Sequence, residues 1–363
     1  MSRFYALELY APTAQQQASA TVTLPIAAKQ GILPKPSPTS GTKTYPGSPT
    51  KVWTSHPNGI YDPGAQNIQF DVLTFGQGIG QTIFTIQVEG VSFQDIQQHN
   101  NFRDYGLKLY AGMLPGLPLA NQQPTPGLIV QGYVLEGIGN WVGNDMTLTF
   151  VVNPDPFTED NPGNLVFQWK PGQTLAQALQ NMLSVAYPGW KFTASISSNL
   201  VTNHVVTHRA ATLSDFASWL EQYTRHRLGP KYRGVEMFFR QGHIVATDYT
   251  QTPTSTPPSI RFDELIGQPV WSDAAQMDLM VALRADVRVG DQIKLPYTEA
   301  APGLQVELPQ TSNASLDYQK SFNGTFIVSH TRQLGDFRGE SGQDWITVIR
   351  CYATTVDGPG EAS

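Results

Sequence analysis

Apolar and polar residues alternate along most of this chain, in a pattern typical of β-strands. In residues 82–90, Phe84, Ile86 and Val88 point to one side and the polar side chains between them point to the other. Turn residues such as Gly-Asn and Pro-Gly separate the alternating stretches. Strands are predicted at 3–10, 68–75, 82–90, 105–113, 128–138 and 146–152, and again at 277–284, 322–330 and 345–352. The chain is therefore predicted to be mainly β, with its strands in two separate regions.

A stretch with helical spacing lies between the two β regions. Thr174 and Gln177 form a capping box that starts one helix, and Pro188 ends it. A second helix is predicted to begin near Thr212, and short strands with a hairpin accompany the two helices. Residues 169–250 are therefore predicted to form a small α+β insertion.

Residues 11–66 have no periodicity. The segment contains nine prolines and a single acid, Asp62, and such a composition buries too little apolar surface to fold by itself. Two interpretations stay open, a flexible insertion or an extended Pro-rich arm that becomes ordered against a partner. Trp53 and Tyr61 favour the arm, because a flexible linker does not need large aromatic side chains.

The two β regions share a sequence parallel. GYVLEG and NDMTLTFVV (132–137 and 144–152) match GTFIVSH and QDWITVIRC (324–330 and 343–351) in order and character. Each pair is a strand that opens on glycine, a Gly-rich loop, and an alternating strand led by aspartate. The parallel predicts two copies of one β module in the chain.

The composition fits many short strands joined by tight turns. Charged residues make up 14 % of the 363 residues, and glycine (32) and proline (27) are abundant. The net charge of −6 argues against a nucleic-acid binder, which usually carries a basic surplus. We therefore expect no direct nucleic-acid recognition. The single cysteine, Cys351, lies in an apolar strand pattern and is expected to be buried.

No membrane span is expected, because the sequence lacks a run of about 18 apolar residues. The N-terminal residues do not resemble a signal peptide, since Glu8 interrupts a short apolar run. Synthesis and assembly in a cytosol-like compartment are therefore expected.

The sequence lacks recognisable motifs for catalysis or cofactor binding. It contains neither a G-x-S-x-G elbow nor a phosphate-binding loop. His204 and His208 are spaced to share one face of a strand, but no third ligand accompanies them, so no metal is expected. Asp155, Glu159 and Asp160 lie in a Pro-rich linker, where solvated charges are a simpler interpretation than catalytic carboxylates. We predict no catalytic, cofactor-binding or metal-binding residues.

A basic cluster follows the second predicted helix. Cations near a helix C-terminus are favoured by the helix dipole, which explains the cluster without any function. The alternative is a patch that binds an acidic partner. The candidate interface residues are Arg225, Arg227, Lys231 and Arg233 of this cluster, together with Trp53 and Tyr61.

Motifs in the second β region occur in a characteristic order. Residues 260–296 contain LIGQP, Trp271, Leu283-Arg284-x-Asp286, Gly290-Asp291 and Leu295-Pro296. This order resembles the second tube-type domain of baseplate hub proteins from contractile-tailed bacteriophages. The run 322–352 is similar to the end of the same family, and 169–183 is similar to its inserted helical domain. The likeness covers most of 67–356 and does not cover 11–66.

This resemblance implies two tube-type β-barrel domains in one chain, with the α+β insertion between them. It implies a structural homotrimer in the tail baseplate of a virion, assembled in the host cytoplasm, that adapts a six-fold tail tube to a three-fold central spike. The implied partners are the spike, the tail tube or a tube-initiator protein, and other baseplate (wedge) proteins. The expected boundaries are 1–10 with 67–152 for the first barrel, 11–66 for the arm, 153–168 for a linker and the start of the second barrel, 169–250 for the insertion, 255–356 for the second barrel, and 357–363 for a flexible tail.

Two other functions stay open at the level of the sequence. A receptor- or glycan-binding tail protein would need exposed Trp or Tyr side chains on a concave face. A tail-borne peptidoglycan hydrolase would need an acid, a nucleophile or a metal set, and the sequence offers no clear one. A structural, non-enzymatic protein is therefore the preferred interpretation.

Overall fold

The structure is a computed structural model and describes residues 3–12, 48–75, 83–114, 125–157, 162–188, 190–230, 232–248, 257–261, 264–273, 276–295 and 324–353. Several predicted features lie outside these residues: most of the 11–66 arm, the 357–363 tail, Glu159, Asp160 and Lys231.

Strands dominate the described part of the chain, as the alternation predicts. The strands are β1 Arg3–Tyr10, β2 Lys51–Thr54, β3 Asn67–Phe75, β4 Phe84–Glu89, β5 Gly106–Met113, β6 Gly127–Val142, β7 Asp145–Asn153, β8 Leu165–Trp169, β9 Lys191–Ser195, β10 Val206–Ala210, β11 Glu236–Arg240, β12 His243–Thr247, β13 Val270–Asp273, β14 Gln276–Ala282, β15 Gln292–Leu295, β16 Gly324–Asp336 and β17 Trp345–Ala353. The helices are α1 Phe93–Gln97, α2 Leu175–Ala186 and α3 Leu213–Thr224.

Twelve of the described strands form one continuous sheet. Their order is β13-β14-β17-β16-β3-β4-β7-β6-β5-β1-β2, and β15 pairs with β16. The prediction of a mainly β fold is therefore confirmed. Among the described strands no pairing closes either β region into a barrel, because the two regions are joined to each other through β3 and β16. The two separate barrels stay a prediction.

The period-two pattern correctly assigns the faces of the strands. In β4, Phe84, Ile86 and Val88 are at most 4 % exposed, whereas Thr85 faces solvent. Burial of each such side chain contributes about 1.5–3 kcal/mol. The hydrophobic effect therefore holds the sheet by one face and leaves the other face polar.

Part of the predicted arm belongs to the sheet of its own chain. Strand β2 pairs antiparallel with β1, with Trp53 opposite Leu7. Trp53 is only 4 % exposed; its ring lies 5.9 Å from that of Phe150, and the Lys51 ammonium lies 4.8 Å above it. The prediction of a separate arm is therefore wrong for residues 51–54, which are too few to show a clear alternation.

The α+β insertion is built around two capped helices. The capping box of Thr174 and Gln177 is present at α2, and the Thr212 hydroxyl caps α3 by accepting a hydrogen bond from the Asp215 N–H. Strand β8, which begins in the 153–168 segment predicted to start the second barrel, pairs with β10 of the insertion and not with a described strand of the second β region. Among the described residues, no helix is both long and apolar enough to cross a membrane.

The two β regions repeat the same five-strand arrangement. The first region has the order β3-β4-β7-β6-β5, and the second has β13-β14-β17-β16-β15. Every neighbouring pair in both is antiparallel. We call these two arrangements module 1 and module 2.

The repeat extends to the register of the strands. The longest hairpin of module 1 has a β-bulge between Val134 and Glu136, and that of module 2 has one between Val328 and His330. An aspartate begins or directly precedes the second strand of each hairpin, β7 in module 1 and β17 in module 2. The two bulges lie at the same distance along the hairpin from this aspartate. Val134 therefore corresponds to Val328, two residues away from the match suggested by the opening glycines.

Backbone hydrogen bonds at the bulges also correspond. The Asp104 N–H donates to the Val134 carbonyl at 2.8 Å, and the Gly290 N–H donates to the Val328 carbonyl at 2.8 Å. Asp104 and Gly290 both have positive φ, 66° and 84°. Two further backbone hydrogen bonds of module 1 have counterparts in module 2. The Val134 N–H donates to the Tyr105 carbonyl, as the Val328 N–H does to that of Asp291. The Gly90 N–H donates to the Met146 carbonyl, as the Leu283 N–H does to that of Trp345. The internal repeat predicted from the sequence is therefore confirmed.

Candidate functional site

The two modules meet at a joint between β3 of module 1 and β16 of module 2. The strands pair antiparallel from His330 opposite Phe75 to Asp336 opposite Gln69. The Arg332 guanidinium bridges this joint and donates to both carboxylate oxygens of Asp71, at 2.8 and 2.5 Å. This pair is about half exposed and contributes at most about 1 kcal/mol.

The buried side of the joint depends on a glycine. A Cβ atom at Gly335 would lie 2.3 Å from the Phe70 ring, closer than real side chains approach. The Phe70 ring packs edge-on against Trp345 at 5.4 Å, and the Trp345 indole donates to the Gly112 carbonyl at 3.0 Å. Aromatic packing therefore locks module 2 onto the core of module 1.

Each module also has a strand edge that pairs with nothing in the described chain. Residues 136–142 of β6 pair with β7 on one side, and no described strand lies on their other side. Strand β13 ends the sheet in the same way, since β14 is the one described strand that pairs with it. Such edges present unpaired N–H and C=O groups that are ready to bind another strand.

Exposed apolar side chains lie at both edges. Ile138, Trp141 and Val142 of β6 are 39, 60 and 74 % exposed, and Val270 of β13 is 55 % exposed. The Trp141 ring packs edge-on against Phe93 of α1 at 5.3 Å. The sequence predictions missed these residues, although one signal was present: an apolar Trp-Val pair where a solvated hairpin end should be polar.

The Arg284 side chain links two carboxylates in the part of module 2 that contains the family-like motifs. It is about 5 % exposed and lies 3.0 Å from the Glu264 carboxylate and 2.6 Å from that of Asp286. Burial opposes the charge of Arg284, but its hydrogen bonds and attraction to the two carboxylates outweigh burial and raise its pKa. The family-like motif residues Arg284 and Asp286 therefore have a structural role that the sequence did not reveal.

The predicted basic residues lie in the loop that follows α3. Arg225 pairs with Glu221 at 2.6 Å within one helical turn. The Arg227 guanidinium stacks on Tyr223 at 4.2 Å, and Arg233 is exposed. The structure thus brings three of the four cations into one loop, and a partner for this loop stays a prediction.

The two predicted aromatic anchors have different surroundings. Trp53 is buried in its own chain, as described above. Tyr61 is 37 % exposed, and its ring lies 5.5 Å from that of His56. Of these two, Tyr61 is the side chain that a partner could reach.

The two predicted histidines are not arranged as a pair of ligands. His204 precedes β10 and bonds Asn203 at 2.8 Å, whereas His208 lies inside β10 and stacks on the Trp219 ring at 4.0 Å. Burial lowers the pKa of His208. Among the described residues, no cluster of three or more His, Cys, Asp or Glu side chains could hold a metal ion.

Asp155 contradicts the interpretation of a solvated linker charge. Its side chain is 1 % exposed, and it accepts hydrogen bonds from the Tyr187 hydroxyl at 3.0 Å and from the backbone N–H of Phe157 at 3.0 Å and Leu213 at 3.3 Å. Burial and the negative charge of Asp155 raise the pKa of Tyr187 well above its ordinary value. Asp155 therefore organises the start of the insertion.

Cys351 is buried in β17, as predicted, and its thiol lies 3.6 Å from the Met277 carbonyl. Burial raises the pKa of this thiol well above its usual value, which suppresses the reactive thiolate.

We expect the native protein not to react with a colorimetric thiol reagent over minutes, and to release one equivalent of chromophore per chain after denaturation. Rapid reaction of the native protein would show that β17 opens readily.

No family model matches this sequence, and no curated protein matches it either. Solved structures, however, are similar in fold. One chain of the half-lidded Francisella PdpA–VgrG complex matches 97 % of this chain and 58 % of its own length, at 7 % identity and a TM-score of 0.52.

Two tail proteins also align over most of their lengths. The 43 kDa tail protein of prophage MuSo2 from Shewanella oneidensis matches 80 % of this chain and 98 % of its own, at 9 % identity and a TM-score of 0.46. A tail protein from Neisseria meningitidis MC58 matches 79 % of this chain and 92 % of its own, at 9 % identity and a TM-score of 0.45. At these identities, the Francisella match establishes a similarity of fold.

Proposed function

We propose that this chain is a structural baseplate hub of a contractile phage tail or a tail-derived particle. In this proposal a homotrimer joins the six-fold tail tube to the three-fold central spike. The observation that carries the proposal is the repeat of one five-strand module within the chain. Three chains with two modules each supply six equivalent positions for the tube and three for the spike.

The way in which the modules are joined also supports a ring. Modules 1 and 2 meet through different strands, β3 on one side and β16 on the other. Such a head-to-tail contact leaves one corresponding edge unused in each module, and repeating it produces a closed ring when the rotation fits. Each module would then be one tube-type β-barrel domain, 1–10 with 67–152 and 255–356, with the α+β insertion at the periphery.

The polar face of the sheet suits a channel wall. An open depression on the side away from the core is lined by side chains that include Gln69, Gln87, Thr149 and Asp336. Asp336 accepts hydrogen bonds from the Asn67 and Gln69 side-chain amides, one at each carboxylate oxygen. This carboxylate is therefore hydrogen-bonded to side chains of the sheet. In the proposal this face lines the lumen, and the protein is not an enzyme.

The fold similarity to a chain of the PdpA–VgrG complex agrees with a role in a tail-like assembly. The proposed partners are the spike, the tail tube or a tube initiator, and other baseplate proteins, in the tail baseplate of a virion. The exposed loop with Arg225, Arg227 and Arg233 is one candidate contact for an acidic partner.

The mass of the protein in solution tests this proposal. We expect multi-angle light scattering to give three times 39.9 kDa, either for the protein alone or after addition of its spike. A monomer at every concentration, with and without spike, tube and baseplate proteins, would contradict it. Clearing of cell walls in a zymogram would instead support a hydrolase, and retention on whole cells a receptor-binding protein.

A further inference from the structure

The joint inside the chain predicts a second joint between chains. In the first, β3 of module 1 pairs with residues 330–336 of β16. The repeat relates β3 to β13, and it relates residues 330–336 to residues 136–142 of β6. Each of these two counterparts is a strand edge that has no partner strand in the described chain.

We propose that residues 136–142 of β6 pair antiparallel with β13 of a second copy of this chain, continuing the sheet from one subunit into the next. This inference rests on the proposed homotrimer and specifies its contact surface. Transfer of the register of the intrachain joint places Asn140 opposite Val270 and Gly139 opposite Trp271. Three such joints, alternating with three intrachain joints, close a ring.

The side chains at the two joints are complementary in different ways. Asp71 and Arg332 form the ion pair at the intrachain joint. Their counterparts in the repeat are Val270 and Ile138, which are 55 and 39 % exposed. An ion pair at one joint is thus replaced by an apolar pair at the other, so that the two solvent-exposed apolar side chains cover each other.

The opposite face of the strands shows a second exchange. At the intrachain joint the large ring belongs to Phe70 and faces Gly335. The counterpart of Gly335 is the exposed Trp141, and the counterpart of Phe70 is Pro269, just before β13. The bulky group therefore changes sides but is kept once per joint, and Pro269, which has no N–H, donates no ladder hydrogen bond at its position.

Neighbouring elements leave the β6 edge open for this pairing. Cβ atoms at Gly137 and Gly139 would lie 2.5 Å from the His99 carbonyl and 2.8 Å from the Ile96 side chain. The glycines therefore let α1 and the turn after it lie on the face of β6, while no described strand pairs with its edge. An apolar edge of this kind binds other strands, and a second copy of the same chain is the partner that carries the matching edge.

Exchange of the charges tests the inference. We expect Ile138→Arg and Val270→Asp each to weaken the association of the trimer by about ten-fold or more, because each places an unpaired charge in an apolar contact. The double variant recreates the Arg–Asp pair of the intrachain joint and is expected to recover most of the trimer. Val185→Arg is the matched control: Val185 is 75 % exposed on α2 of the insertion, and its replacement should leave the mass unchanged.

Cysteine cross-linking tests the register independently. Asn140→Cys combined with Val270→Cys should give disulfide-linked oligomers on a non-reducing gel, whereas Asn140→Cys combined with Ser272→Cys should give far fewer. Circular dichroism and thermal unfolding check that each variant folds. A wild-type trimer that tolerates Ile138→Arg and Val270→Asp and does not cross-link would overturn the joint and leave the proposed hub intact. A wild-type protein that stays monomeric, even with its spike, would overturn the hub itself.

Discussion

Replacement of Arg284 by alanine is expected to lower the free energy of unfolding by about 3–5 kcal/mol. The guanidinium is buried and bonds Glu264 at 3.0 Å and Asp286 at 2.7 and 2.6 Å. Without it, the Glu264 carboxylate, 9 % exposed, loses its cation while it stays buried. Urea unfolding followed by tryptophan fluorescence, with the midpoint and slope compared with wild type, measures this loss.

Arg350 provides a matched control for this prediction. It bonds both oxygens of Asp278 at 2.8 and 2.9 Å, so its geometry resembles that of Arg284, but its side chain is 45 % exposed. Solvent screening limits such a pair to about 1 kcal/mol or less. If Arg284→Ala were no more destabilising than Arg350→Ala, the buried ion pairs of module 2 would not be important for its stability.

The second large effect is expected at Asp155. Replacement by alanine should destabilise the α+β insertion by about 3 kcal/mol, because it leaves buried donors on Phe157, Tyr187 and Leu213 without their acceptor. These donors come from the linker, the end of α2 and the start of α3, so the loss of one carboxylate loosens three elements. Asp155→Asn should be less harmful, since its amide oxygen still accepts.

Hydrogen exchange measured by mass spectrometry shows where this loss occurs. We expect Asp155→Ala to accelerate exchange in α2 and α3 and to leave β4 and β7 of module 1 close to wild type. Asp215→Asn, at an exposed position in the first turn of α3, serves as the control and should change stability by less than about 1 kcal/mol. Equal exchange in the alanine variant and the wild type would contradict an organising role for Asp155.

Local patterns were sufficient for the elements and for the buried faces. The alternation of Phe84, Ile86 and Val88 predicted which face of β4 is buried, because successive side chains of a strand point to opposite sides. The Thr174–Gln177 capping box predicted the start of α2, because its hydrogen bonds are made within four residues. The parallel between the two hairpins predicted the internal repeat.

Partners that are distant in the chain could not be predicted in this way. Nothing in the alternation of β3 shows that it pairs with β16, more than 250 residues later. The burial of Asp155 and the ion pairs of Arg284 were missed for the same reason, since a carboxylate in a Pro-rich linker looks solvated until its donors are placed around it.

The sequence by itself thus determined the mainly β class, the position and capping of the two long helices, and the presence of two related modules. All of these depend on contacts between residues close in the chain, or on likeness between segments. Only the tertiary structure decided how the modules are joined, that Trp53 packs into its own sheet, and that β6 and β13 each have an edge to which no described strand pairs. Which strand edge is filled depends on the packing of the whole chain, because every strand carries the same backbone donors and acceptors.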